Sequence, residues 1–169
     1  MTLNPALPGL RYHQKRIMAF KLFSNAFTEG GWIPTLHSCQ GADVSPSLEW
    51  SGEPAETRSF ALVVDDPDAP AGTWTHWLLY DLPAKIHNLA QGCKPGDLGL
   101  SGSNDFGKLG YGGPCPPKGH GPHRYYFKLH ALDVHTLGIP AGVKAAELAQ
   151  ALKGHVLAEA RYMGRFERR

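Results

Sequence analysis

The stretch Val63–Pro83, "VVDDPDAPAGTWTHWLLYDLP", joins two apolar segments through a turn of acids and prolines. Upstream, "SFALVVDD" is apolar at five successive positions, Phe60 to Val64, as in a strand covered on both faces. Downstream, "WTHWLLYD" is apolar on both registers, and period two places Trp74, His76, Leu78 and Tyr80 on one face. Two such strands predict the centre of a β-domain. A core strand, however, needs neither the acids at its end nor an imidazole in its neighbour. Pro67 and Pro70 stiffen the backbone that presents Asp65, Asp66 and Asp68. Asp65 is as readily a turn residue, whereas Asp66 and Asp68, two apart on extended backbone, point the same way and read as a paired-acid site. A cis peptide at Ala69–Pro70 would help to turn them inward.

The rest of the chain fits a mainly β fold. Its 20 glycines and 14 prolines make about a fifth of 169 residues, against a usual share of roughly 12%, so turns and loops are frequent. Hydrophobic content of 42% excludes a disordered chain, and no apolar run approaches the ~18 residues of a membrane span. "HRYYFKLHALD" alternates cleanly, with His123, Tyr125, Phe127 and Leu129 on one face and Arg124, Tyr126, Lys128 and His130 on the other. Between Ala84 and Gly121 lies a long glycine- and proline-rich segment whose Phe106, Tyr111 and "PCPP" predict an ordered loop. The one persuasive helix is "VKAAELAQALKGHVLAEA", with Leu148, Leu152 and Val156 on one stripe and Gly154 weakening or interrupting it. "RYMGRFER" then returns to a strand. The expectation is a two-sheet β-fold with one or two short helices near the C-terminus.

Residues 1–17 carry no period of either kind and are expected to form a flexible extension before a domain at 18–169; an internal start at Met18 is the rival explanation. Polar residues and prolines break up the opening sequence, so no secretory signal is read and a cytoplasmic protein is expected. Cys39, Cys93 and Cys115 are an odd number without paired spacing and are expected to be reduced thiols. A net charge of +2 without a basic stripe gives no basis for a nucleic-acid partner.

His76 and His123 each read alone as a core or strand-end imidazole, but with the acid pair and a Gly/Pro loop they can converge on one pocket. Cys115, His120 and His123 have metal-ligand chemistry, yet their spacing lies outside common zinc patterns, and no metal or cofactor is expected. Neither a nucleophile elbow nor a phosphate-binding loop motif is present in the sequence. Two classes therefore stand: a binding module, or a hydrolase or isomerase using Asp66 and His76 as acid and base.

"DDPDAP", "THWLLYDLP" and "NDFGKLGYGGPCPPKGHGPHRYYFKLHALD", in this order, resemble the phosphatidylethanolamine-binding protein family, in particular its bacterial Raf-kinase-inhibitor-like YbhB/YbcL branch, from about Met18 onward. The resemblance implies a two-sheet fold with a small pocket for phosphate-like anions or phosphorylated head groups. It assigns to that pocket Asp66, Asp68 and Pro70, then Trp74 and His76, then His123 and Tyr125, with backbone N–H donors around Gly113 to Cys115. It also admits a kinase or protease as protein partner, and a homodimer stands open beside it.

Overall fold

The computed structural model describes residues 18–169, so the extension expected at 1–17 lies outside the described residues. Among the described residues, eight strands form two antiparallel sheets. β1 (Lys21–Phe23), β2 (Leu48–Ser51) and β5 (Asn88–Leu89) make the small sheet, in the order β1-β2-β5. β3 (Ser59–Asp66), β4 (Trp74–Pro83), β6 (Leu100–Ser101), β7 (His123–Leu132) and β8 (Val156–Phe166) make the large one, in the order β6-β4-β3-β7-β8. The expected central strand, β3, is the middle of five.

Both faces of β3 are covered, which explains its unbroken apolar run. Phe60, Leu62 and Val64 enter the core between the sheets with Leu48, Trp50, Trp77 and Phe127. Ala61 packs on the opposite face with Leu78, Tyr80 and Leu132, beneath Leu148 and Leu152 of the helix α1 (Ala145–Leu152). β7 alternates as its sequence predicts, with His123, Tyr125, Phe127 and Leu129 buried and Arg124 exposed.

The helix is shorter than the alanine-rich sequence suggests. Gly154 adopts a left-handed conformation, φ 80°, just beyond Leu152, and Val156 begins β8 instead of a further helical turn. β8 pairs with β7 from Leu132↔Val156 to His123↔Phe166, and this long ladder outweighs the helix propensity of "LAEA". No helix among the described residues is long and apolar enough to cross a membrane.

The glycine-rich segment is held by specific bonds. Asn104 is buried, donates to the Gly110 carbonyl at 2.9 Å and accepts from the Phe106 and Lys108 amides. Tyr111 donates its hydroxyl to the His37 carbonyl at 2.6 Å, and the Cys39 amide donates to the Pro114 carbonyl at 3.1 Å. This seats residues 111–115 on the loop around the 3₁₀ turn Thr35–His37. The contact admits no side chain at Gly113, where a Cβ would lie 2.1 Å from the His37 carbonyl oxygen.

The same contact corrects the reading of the cysteines. Cys39 and Cys115 form a disulfide across 76 residues of sequence, and Cys93 alone is a free thiol. The pair is created by loop packing, with Cα atoms 5.4 Å apart, and linear spacing carries no trace of it.

Candidate functional site

β3 is antiparallel to both neighbours, so its C-terminal end lies beside the first residues of β4 and β7: Asp66 opposite Trp74, and Asp65 opposite Tyr126. A cavity of about 180 Å³ opens there, lined by Asp66, Ala69, Pro70, Trp74, His76, Phe106, Cys115, Pro116, Pro117, His123 and Tyr125.

His76 reaches the cavity through a break in the strand. Val64 pairs with Trp77 and Asp65 with Thr75, leaving His76 as an extra residue without a partner on β3. Leu78 and Tyr80 face α1, whereas His76 meets the Tyr125 ring edge-on at 5.1 Å and the Phe106 ring at 5.4 Å. Strict alternation, which groups His76 with Leu78 and Tyr80, therefore fails at this bulge. The Nδ1–H of His76 donates to the Gly112 carbonyl at 2.7 Å, so the other ring nitrogen, Nε2, carries the proton-accepting lone pair of the neutral ring. Burial holds this imidazole below the usual histidine range, against the opposing pull of the Gly112 carbonyl and Asp66.

The two acids part company. Asp66 is buried, accepts from His123 Nδ1 at 2.7 Å through Oδ2, and accepts the Asp68 amide at 2.8 Å through Oδ1. Asp68 turns outward, where its two oxygens accept from the Arg124 guanidinium at 2.8 and 2.9 Å and Oδ2 also accepts the Arg124 amide. Arg124 pulls the Asp68 carboxyl down to about 2. The peptide bonds are trans among the described residues, Ala69–Pro70 included, so the expected cis bond is absent. The bond from the Asp68 amide to Asp66 Oδ1 shapes the turn in its place.

Seven of the nine residues assigned to the pocket line the cavity: Asp66, Pro70, Trp74, His76, Cys115, His123 and Tyr125. Asp68 is committed to Arg124, and the Gly113 amide donates to Asp43 Oδ1 at 2.7 Å, so neither is among the lining residues. The site assignment did not include Ala69, Phe106, Pro116 and Pro117. Ala69 and the "PCPP" prolines adjoin assigned residues, while nothing in the linear sequence ties Phe106 to Trp74, whose ring it meets at 5.5 Å. His120, outside the lining, places Nδ1 2.6 Å from His123 Nε2.

Two of the lining residues carry a buried polar atom with no hydrogen-bond partner among the described residues: Tyr125 its hydroxyl and Trp74 its Nε1. Burial pushes the Tyr125 phenol far above its ordinary value, with Asp66 and Asp68 adding to the effect, so it stays a neutral O–H donor.

Fold and site together define a two-sheet β-protein with a histidine-lined cavity at the strand ends. A family model, described as phosphatidylethanolamine-binding protein, matches residues 23–167. A "UPF0098 protein" of Aquifex aeolicus is 45% identical over 151 residues, 88% of each chain, and one of Methanothermobacter thermautotrophicus is 42% identical over 151 residues, 87% of this chain and 98% of that one. Among solved structures, Escherichia coli YbcL, described as a member of the mammalian PEBP family, superposes with a TM-score of 0.83 at 36% identity, covering 89% of this chain and 99% of its own. The chain belongs to the phosphatidylethanolamine-binding protein family, and its relatives span bacteria and archaea.

Proposed function

We propose that the cavity is a binding site for phosphate or a phosphorylated head group, and that the protein acts as a binding module. The observation that carries this reading is the pair of unpartnered buried donors, Tyr125 O–H and Trp74 N–H, beside an imidazole whose Nδ1 is already bound. Buried donors of this kind are costly unless something accepts from them, and anion oxygens would. Neutral His76 supplies the complementary acceptor, so a phosphate monoanion, with one O–H and several acceptor oxygens, matches the wall. Asp68 does not oppose it, because Arg124 neutralises its charge, and the Asp66 carboxylate is held by the Asp68 amide and by His123. The enzyme reading would use Asp66 and His76 as acid and base, whereas Asp66 is hydrogen-bonded to His123 and to the Asp68 amide. The family's name carries a lipid of matching head-group chemistry. The cytoplasmic setting expected from the opening sequence stands against the Cys39–Cys115 bond, a type that persists in oxidising compartments. Titration with inorganic phosphate, followed by phosphorus NMR, tests the site: wild type binds, and Tyr125→Phe weakens binding about tenfold, as for a lost hydrogen bond to a charged group. Equal binding by the two proteins refutes the assignment.

A further inference from the structure

The Asp66–His123 pair does not end inside the protein. His123 Nδ1 meets Asp66 Oδ2 at 2.7 Å and its Nε2 meets His120 Nδ1 at 2.6 Å, so three side chains form a hydrogen-bonded file. Asp66 and His123 are buried, whereas His120 is exposed and lies outside the cavity lining. Its position is set by backbone: Gly119 and Gly121 on either side adopt left-handed conformations, φ 75° and 82°, and the His120 amide donates to the Pro117 carbonyl at 3.2 Å. This places the two rings 4.9 Å apart at 67°.

We propose that His120 is a positioning residue that sets the charge of the cavity's His123, as the solvent end of a proton file Asp66–His123–His120. In the neutral file, His123 donates Nδ1–H to the Asp66 carboxylate and accepts at Nε2 the Nδ1–H of His120, leaving His120 Nε2 with a lone pair. A proton from water adds to that lone pair. The proton between the rings then moves from His120 Nδ1 to His123 Nε2, and the positive charge reaches the ring beside Asp66 with neither ring turning. Asp66 ends β3, and Asp68 in the turn after it is neutralised by Arg124 of β7. β4 contributes His76, whose charged form burial disfavours, β7 contributes Tyr125, β8 places Phe166 opposite His123, and Lys118 lies on the loop of His120. The file gives the anion reading of the cavity, on which its functional meaning rests, a cation supplied on demand.

Nitrogen NMR of histidine-labelled protein without ligand tests the file, using wild type and His120→Ala. The expected results are a scalar coupling across the His120–His123 hydrogen bond and a joint titration in which the two rings share the first proton. In His120→Ala the charged ring loses its acceptor, and because charge-assisted bonds are the stronger ones, His123 should lose at least threefold in proton affinity. An unchanged His123 titration overturns the proposal. Inorganic phosphate at pH 6 supplies a second arm: affinity should fall severalfold in His120→Ala, and a shifted titration with unchanged affinity also overturns the charge-setting role. Failure of wild type to bind phosphate counts against the anion cavity alone, and the ligand-free titration still decides the part played by His120.

Discussion

Asp68 turns its carboxylate onto Arg124, accepting from the guanidinium at 2.8 and 2.9 Å, and leaves Asp66 as the acid of the cavity. The motif that pairs these acids in sequence separates them in space, because Asp66 Oδ1 captures the Asp68 amide and bends the chain between them.

This separation predicts an acid-dependent loss of stability. The Asp68 carboxyl is depressed from 3.8 to about 2 in the folded protein, so the unfolded chain binds the proton first. The contribution is fully present above pH 3.8 and is lost as pH falls toward 2. Asp68→Asn should lower Tm by a few degrees at pH 6, a small effect because the Arg124 guanidinium is half exposed, and the two melting curves should converge near pH 2. A constant Tm difference down to pH 2 excludes the ion pair as its source.

The buried partner predicts a larger effect. Asp66 and His123 side chains are only 4% and 2% exposed, so removing one strands the other in a poorly solvated site. Asp66→Ala should cost about 3 kcal/mol in urea unfolding at pH 6. A cost below about 1 kcal/mol would place water at His123 in the folded state.

The disulfide ties one wall of the cavity to the loop around Thr35–His37, since Cys115 lines the cavity and Cys39 does not. Cys39→Ser with Cys115→Ser should lower stability by about 2–4 kcal/mol. It should also weaken phosphate binding, read by the same titration as for wild type. Full affinity in the double variant would show that loop contacts such as Tyr111 to His37 hold the wall unaided.

What the sequence discloses follows the reach of the forces involved. Local patterns were legible: the double-sided burial of Phe60–Val64 and the alternation of His123–Leu132 are properties of single strands. Asp66, His76 and His123, each close to a strand end, line one cavity, but the reading of Asp66 and Asp68 as a pair failed, because Asp68 turns out to Arg124. Long-range features were not. The bulge that re-aims His76 depends on β3–β4 register, the Cys39–Cys115 bond on one loop docking on another, and the early end of α1 on the pairing of β8 with β7. Phe106 reaches the cavity and His120 reaches His123 by the same route, carried there by a loop whose path tertiary bonds decide.

The most direct measurement of the central claim is a calorimetric titration of inorganic phosphate and phosphoethanolamine into wild type and His76→Ala at pH 5.5 and pH 8. Monoesters have a second pKa of ~6, so the ligand is mostly a monoanion at the lower pH and a dianion at the higher. His76, whose charged form burial disfavours, accepts the O–H of the monoanion through Nε2 and has nothing to offer the dianion. Wild type should bind about tenfold more tightly at pH 5.5, and His76→Ala should lose most of that preference. Affinity independent of pH in wild type, or the full preference retained in His76→Ala, would contradict the account.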